Sequence, residues 1–114
     1  MDARPVALAL LAAATLATGA NLTPDAPYAH FKGKDQALFD EALYGVLDGT
    51  DESSARKWAN KETGASGEVK AVKSFVRGET PCRTVSIANK AGGRMSSNRF
   101  NFCRSADGKW KFAQ

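Results

Sequence analysis

The sequence predicts an α+β fold: a small antiparallel β-sheet of about four strands, one amphipathic N-terminal helix packed on one face, and one disulfide. Three observations carry this. Apolar residues at positions 38, 39, 42, 43, 46 and 47 recur with helical spacing. After position 50, short apolar–polar alternations are broken by glycine-rich turns, the grammar of strands. And the two cysteines, Cys82 and Cys103, stand at equal distances from a Gly92-Gly93 pair. A helix followed by a run of short strands argues for a helix covering one face of an antiparallel sheet.

The chain has 114 residues. Residues 3–20, ARPVALALLAAATLATGA, read as a secretory signal, apolar with Arg4 near its start and small residues at its end. The apolar run is short for a membrane span of ~20 residues, so no transmembrane segment is expected after cleavage. Cleavage is expected after Ala20, with Ala29 as the second choice. No cysteine follows the run, which argues against a lipid anchor. Residues 21–34 hold Pro24 and Pro27 without periodicity and read as a flexible lead-in. The domain proper is expected over residues 35–114.

The helix is expected over residues 35–48, with Asp35 as its N-cap and Gly49 as its stop. A short strand fits residues 56–59. Residues 64–67, Gly-Ala-Ser-Gly, read as a connecting turn. The next segment, GEVKAVKSFVRGETP, carries Val69, Val72, Phe75 and Val76 in an imperfect alternation, which suits a bulged strand.

The Gly92-Gly93 pair explains the cysteine spacing. A two-residue hairpin loop needs positive φ at both central positions, which glycine supplies. Pairing Ala91 with Arg94 then places Cys82 opposite Cys103, at a non-hydrogen-bonded site where the Cα atoms are ~4.5 Å apart. In an exported small domain, two such cysteines form a disulfide. The same register puts Val85 opposite Phe100 and Arg83 opposite Phe102, on one face with Ile87. In the next turn, a three-residue Ala106-Asp107-Gly108 loop brings Trp110 and Phe112 to that face. Leu38, Leu43 and Leu47 of the helix are expected to cover it. The opposite face collects Lys90, Arg99, Lys109 and Lys111 among small polar residues.

Trp58-x-Asn60, Gly64-x-x-Gly67-x-Val69, Gly78-x-x-Pro81-Cys82-Arg83, Gly92-Gly93 and Cys103-Arg104-x-x-Asp107-Gly108-x-Trp110 together resemble the C-terminal domain of the 17 kDa surface-antigen family. These are exported envelope proteins of proteobacteria. The resemblance covers about residues 38–113. It implies a cell-envelope location, in the periplasm or at the outer cell surface, and no catalytic residues. Lys61 stands where members of the family usually have proline. The family's lipid-anchor cysteine and glycine-rich stretch have no counterpart, so a free periplasmic or secreted domain is implied.

The chemistry that the residues permit is narrow. The only histidine is His30, in the lead-in, and both cysteines are committed to the disulfide. A nucleophile with an adjacent base is therefore not expected, nor any cofactor. Asp48, Asp51 and Glu52 cluster after the helix end but read as solvated charges, so no metal site is expected. Trp58 and Trp110 read as core anchors.

The formal net charge of +4 favours anionic partners. The candidate anion-binding residues are Lys90, Arg99, Lys109 and Lys111 on the outer face, with Arg83 and Arg104 on the core-side rim near Trp110. The two arginines either grip an anionic group, pair with Asp40 or Glu41, or stack on Trp110. Peptidoglycan carboxylates and lipopolysaccharide phosphates match these charges. Nucleic acid does not, since no exposed aromatic ladder accompanies the basic residues. The rival function is a protein-binding inhibitor of a peptidoglycan hydrolase of the lysozyme type, making contact through the acids near Asp48–Glu52.

Overall fold

A computed structural model describes residues 26–113. The expected signal segment, its cleavage after Ala20 and the first part of the lead-in lie outside the described residues. A short 3-10 turn, Pro27–His30, leads into α1, Asp35–Leu47. Five strands follow: β1 Ala55–Asn60, β2 Ala65–Arg77, β3 Thr80–Ala91, β4 Arg94–Arg104 and β5 Trp110–Ala113. They form one antiparallel meander in the order β1-β2-β3-β4-β5, curved into a half-barrel. The expectation of about four strands is thus one short, and the helix and the disulfide are present.

The hairpin of β3 and β4 has the register derived above, from Ala91 opposite Arg94 to Cys82 opposite Cys103. Gly92 and Gly93 both take positive φ, as a two-residue loop requires. Cys82 and Cys103 are joined as a disulfide. The turn into β5 is the three-residue loop: Ser105 and Lys109 close it backbone to backbone at 2.9 Å, and Phe112 lies opposite Phe102.

The bulge in β2 falls at Val72, between Ala71 opposite Val85 and Lys73 opposite Thr84. Its consequence is a change of face. Before it, Val69 and Ala71 face the helix and Lys70 faces out; after it, Lys73, Phe75 and Arg77 face out. Without the extra residue, Lys73 and Arg77 would point into the helix side.

The core lies between α1 and the first three strands, built from Phe39, Leu43, Val46, Leu47, Trp58, Val69, Val85 and Ile87. The expected apolar face exists, but the helix covers a different part of it. α1 packs on β1 and β2. Phe100, Phe102 and Trp110 are left at the core margin, and Phe112 is 47% exposed.

Three local expectations are corrected. Residues 26–34 are not a loose lead-in. Ala26 and Pro27 are buried, and Phe31 packs edge-on against Trp58 with ring centroids 5.3 Å apart. Asp35 is the first helical residue, preceded by Lys34 as cap. Its carboxylate still serves the helix start, accepting the Lys32 N–H at 2.8 Å. Gly67, expected in a turn, lies within β2 opposite Trp58, where a side chain would strike the indole nitrogen.

Candidate functional site

The outer face of the sheet is the face opposite α1. Strand alternation together with the β2 bulge gathers Lys57, Lys70, Lys73, Arg77, Lys90, Arg99 and Lys111 there. Among the described residues the strands place one carboxylate on this face, Glu68, and it sits 3.8 Å from Lys70. Lys57, Lys70, Lys73, Lys90, Arg99 and Lys111 are exposed. The face between them is made of small and polar side chains. Thr84 is buried on it and donates to Asn101 across the strands at 2.6 Å. The disulfide lies on the same face. Phe75 stands opposite Cys82 in register, and Lys73 and Arg77 approach its ring at 5.8 and 5.7 Å.

A shallow open trough of about 570 Å³ crosses this face where β1 to β4 run together. Ala59, Ser66, Gly67, Ala88 and Ser97 form its floor, and Lys57, Lys90 and Met95 stand at its sides. On the helix side of Gly67, where a Cβ would point, Trp58 and Asn89 fill the space, the Trp58 indole N–H donating to Asn89 at 3.3 Å. The trough combines a floor of small side chains with the ammonium groups of Lys57 and Lys90 and the carboxylate of Glu68 at its margin.

The six candidate anion-binding residues do not come together. Lys90 and Arg99 are on the outer face, and Lys111 joins them from the edge strand. Lys109 stands in the β4–β5 turn, where its main-chain N–H donates to Asp107 at 3.0 Å. Lys111 lies 3.9 Å from the same carboxylate. Arg83 and Arg104 are on the helix side. Arg83 is 6% exposed and donates to the Val46 carbonyl at 2.7 Å and the Ser74 hydroxyl at 3.1 Å. Arg104 lies over the Trp110 ring at 5.9 Å and donates to Gly108 O at 3.2 Å. Lys57, Lys70, Lys73 and Arg77 were missed by sequence reasoning. The alternation in GEVK points at Lys70, but Lys73 and Arg77 reach this face only through the bulge.

A second hollow, of about 450 Å³, lies between the end of α1 and the β4–β5 turn, lined by Tyr44, Asp48, Arg104, Lys109 and Trp110. Trp110 Nε1 donates to Asp48 at 2.8 Å across its base. The neighbouring acids are also engaged. Asp51 accepts from both the main chain and the hydroxyl of Ser53, which hold its carboxyl below the usual range. Glu52 accepts the Ser74 N–H at 3.2 Å.

His30 packs beneath Gly92. Among the described residues no cluster of three His, Cys, Asp or Glu side chains could hold a metal, and no helix is long and apolar enough to cross a membrane. Compared with known proteins, the chain matches no family model, no curated protein and no solved structure.

Proposed function

We propose that this protein is a non-enzymatic, exported envelope module of the surface-antigen type, and that it binds an anionic envelope polymer through the outer face of its sheet. One observation carries the reading: a row of exposed lysines and arginines spans all five strands of that face, where the strands themselves place one carboxylate, Glu68, among the described residues. A surface with one sign of charge raises the local concentration of an oppositely charged polymer and speeds its capture. The resemblance to the 17 kDa surface-antigen domain supports the location. Peptidoglycan carboxylates and lipopolysaccharide phosphates are the ligands of matching charge there.

The rival reading, a hydrolase inhibitor acting through the acids after α1, ranks behind it. Asp48, Asp51 and Glu52 are all spent on hydrogen bonds within the domain.

The test is co-sedimentation of the purified protein with sacculi and with outer-membrane vesicles, at low and moderate salt. Binding to one of them that weakens with salt, and that falls at least about tenfold when Lys73, Lys90 and Arg99 are all changed to Ser, is expected. Absence of binding to both, or binding indifferent to the triple substitution, overturns the proposal.

A further inference from the structure

The hollow between the end of α1 and the β4–β5 turn is a separate place from the outer basic face. Its volume of about 450 Å³ falls within the ~300–1,000 Å³ of small-ligand sites. Arg104 in its wall is held from two sides. Its guanidinium lies over the Trp110 ring at 5.9 Å, and its Nε donates to the Gly108 carbonyl at 3.2 Å. Trp110 is pinned in turn, its indole N–H donating to Asp48 at 2.8 Å. Stacking engages the face of a guanidinium and leaves its edge available. Neither Nη of Arg104 has a partner among the described residues. A fixed, exposed arginine with its end unspent is a preformed fork for two oxygens in one plane.

Two further side chains in the same wall are exposed and uncommitted. The main chain of Lys109 is bonded at both ends, its N–H to Asp107 and its carbonyl to Ser105, while its ammonium has no partner among the described residues. Tyr44 is 44% exposed, and its hydroxyl is likewise without a partner there. The hollow thus sets a cationic clamp beside an aromatic ring and a hydroxyl.

We propose that this hollow binds a sugar ring bearing a carboxylate, with the carboxylate end-on in the Arg104 fork beside Lys109 and the ring against Tyr44. Charge selects carboxylate over phosphate. Lys111 is already 3.9 Å from Asp107, so Arg104 and Lys109 against Asp48 leave a surplus of one positive charge, which suits a monoanion. The planar fork also matches a planar group. Asp48 selects a hydroxylated body over an apolar one. A fatty acid would bury that carboxylate against hydrocarbon, whereas a ligand hydroxyl can donate to it in addition to Trp110. An aromatic face with its negative quadrupole then receives the C–H face of the ring. The muramic acid of peptidoglycan and the keto-sugar acids of lipopolysaccharide share this chemistry. Choosing among envelope sugars rests on the exported location proposed above; the hollow itself does not involve the outer face.

The test titrates the purified protein with free N-acetylmuramic acid and keto-deoxyoctulosonic acid, with N-acetylglucosamine as the neutral ring and acetate as the bare carboxylate. Calorimetry gives affinity, and the Trp110 indole N–H resonance reports the place. Saturable binding of at least one sugar acid that moves this resonance is expected, with the neutral ring and acetate at least about tenfold weaker. The tighter of the two acids identifies the source. Arg104→Lys keeps the charge and removes the fork, and should weaken binding about tenfold with little change in melting temperature. Tyr44→Ala should weaken it as well. Changing Lys73, Lys90 and Arg99 to Ser should leave it as it is. Binding of neither acid, acetate binding as tightly as the sugar acids, or an Arg104→Lys protein that binds like the parent overturns the proposal. Sedimentation with sacculi and vesicles is read separately and depends on other residues, so each proposal can fail alone.

Discussion

Arg83, in the middle of the sheet, donates from Nη1 to the main-chain oxygen of Val46, 2.7 Å away at the C-terminal end of α1. This hydrogen bond adds a polar tie to the apolar packing between the helix and β3. The last carbonyls of a helix lack partners within it, and the helix end carries partial negative charge. A buried guanidinium satisfies both needs, and its Nε reaches Ser74 on β2 as well. The pairing with Asp40 or Glu41 considered from sequence is replaced by a bond to the helix end itself.

Arg83→Ala should therefore destabilise the domain by about 1.5–3 kcal/mol, the range for hydrogen bonds to a charged group. Urea denaturation would read this as a lower midpoint with an unchanged slope. Binding to envelope polymers should be unaffected, because Arg83 is on the helix side of the sheet. Loss of binding without loss of stability would reverse that assignment.

Asp35 predicts a pH dependence. Its side chain is fully buried, and burial alone would raise its pKa. The Lys32 N–H, the Thr63 hydroxyl at 2.7 Å and the Asn60 amide at 2.8 Å outweigh this and hold the carboxyl below the usual range. A carboxyl whose folded pKa is depressed contributes stability that is fully present above its unfolded value of about 3.9. That contribution is lost as pH falls through the folded value. The domain should weaken below about pH 4, and Asp35→Asn should flatten that part of the profile while costing about 1–3 kcal/mol near neutrality. Urea midpoints for both proteins across the acid range provide the check.

Gly67→Ala tests the packing behind the trough. A Cβ at this position would lie 2.3 Å from Asn89 Oδ1, 2.4 Å from Trp58 Nε1 and 2.6 Å from the Ala88 carbonyl. The last of these is backbone and cannot swing aside. Overpacking of this kind costs about 1–3 kcal/mol. Near-ultraviolet circular dichroism should also change, since Trp58 must give up its bond to Asn89.

The disulfide closes the far end of the β3–β4 hairpin, joining cysteines 21 positions apart. Restricting the unfolded chain over a loop of that size contributes on the order of 3 kcal/mol. The Cys82→Ala, Cys103→Ala double variant should lose about that much in thermal or urea denaturation. A double variant as stable as the parent would show that the strand ladder alone holds the hairpin.

What was legible in the sequence follows from how local each constraint is. Gly92-Gly93 settles the pairing of its flanking strands step by step, so every partner from Ala91–Arg94 to Cys82–Cys103 could be counted off. Asp107-Gly108 alone leaves a two- or a three-residue loop open, and the three-residue loop follows only from the demand that Trp110 and Phe112 join one continuous apolar face. The helix was legible from its own stripe, but not its seat on β1 and β2, because nothing near α1 in sequence encodes a packing partner. Asp35 read as an ordinary cap because Asn60 and Thr63 lie 25 and 28 positions away. The outer basic face was half seen: Lys90, Arg99 and Lys111 came from the readable hairpins, whereas Lys73 and Arg77 depend on where the β2 bulge falls. An imperfect alternation announces a bulge without saying which residue is the extra one.

Residues 26–31 were read as loose because they lack periodicity, and the reading failed because one aromatic anchor needs none. Phe31 stacks at its edge on Trp58 and lies 5.8 Å from Phe39, with Tyr28 5.3 Å from Phe31 on the other side. Aromatic pairs at these separations add ~0.5–1.5 kcal/mol beyond the area they bury. Phe31→Ala should cost about 2 kcal/mol, less than the ~3–5 of a fully buried phenylalanine, because its ring is partly exposed. The same packing bears on processing. A chain cut after Ala29 would lack Pro27 and Tyr28, and should be less stable than one cut after Ala20. Preparing both forms and comparing their melting temperatures checks this. Equal stability would mean that Phe31 alone seals the Trp58 end of the core.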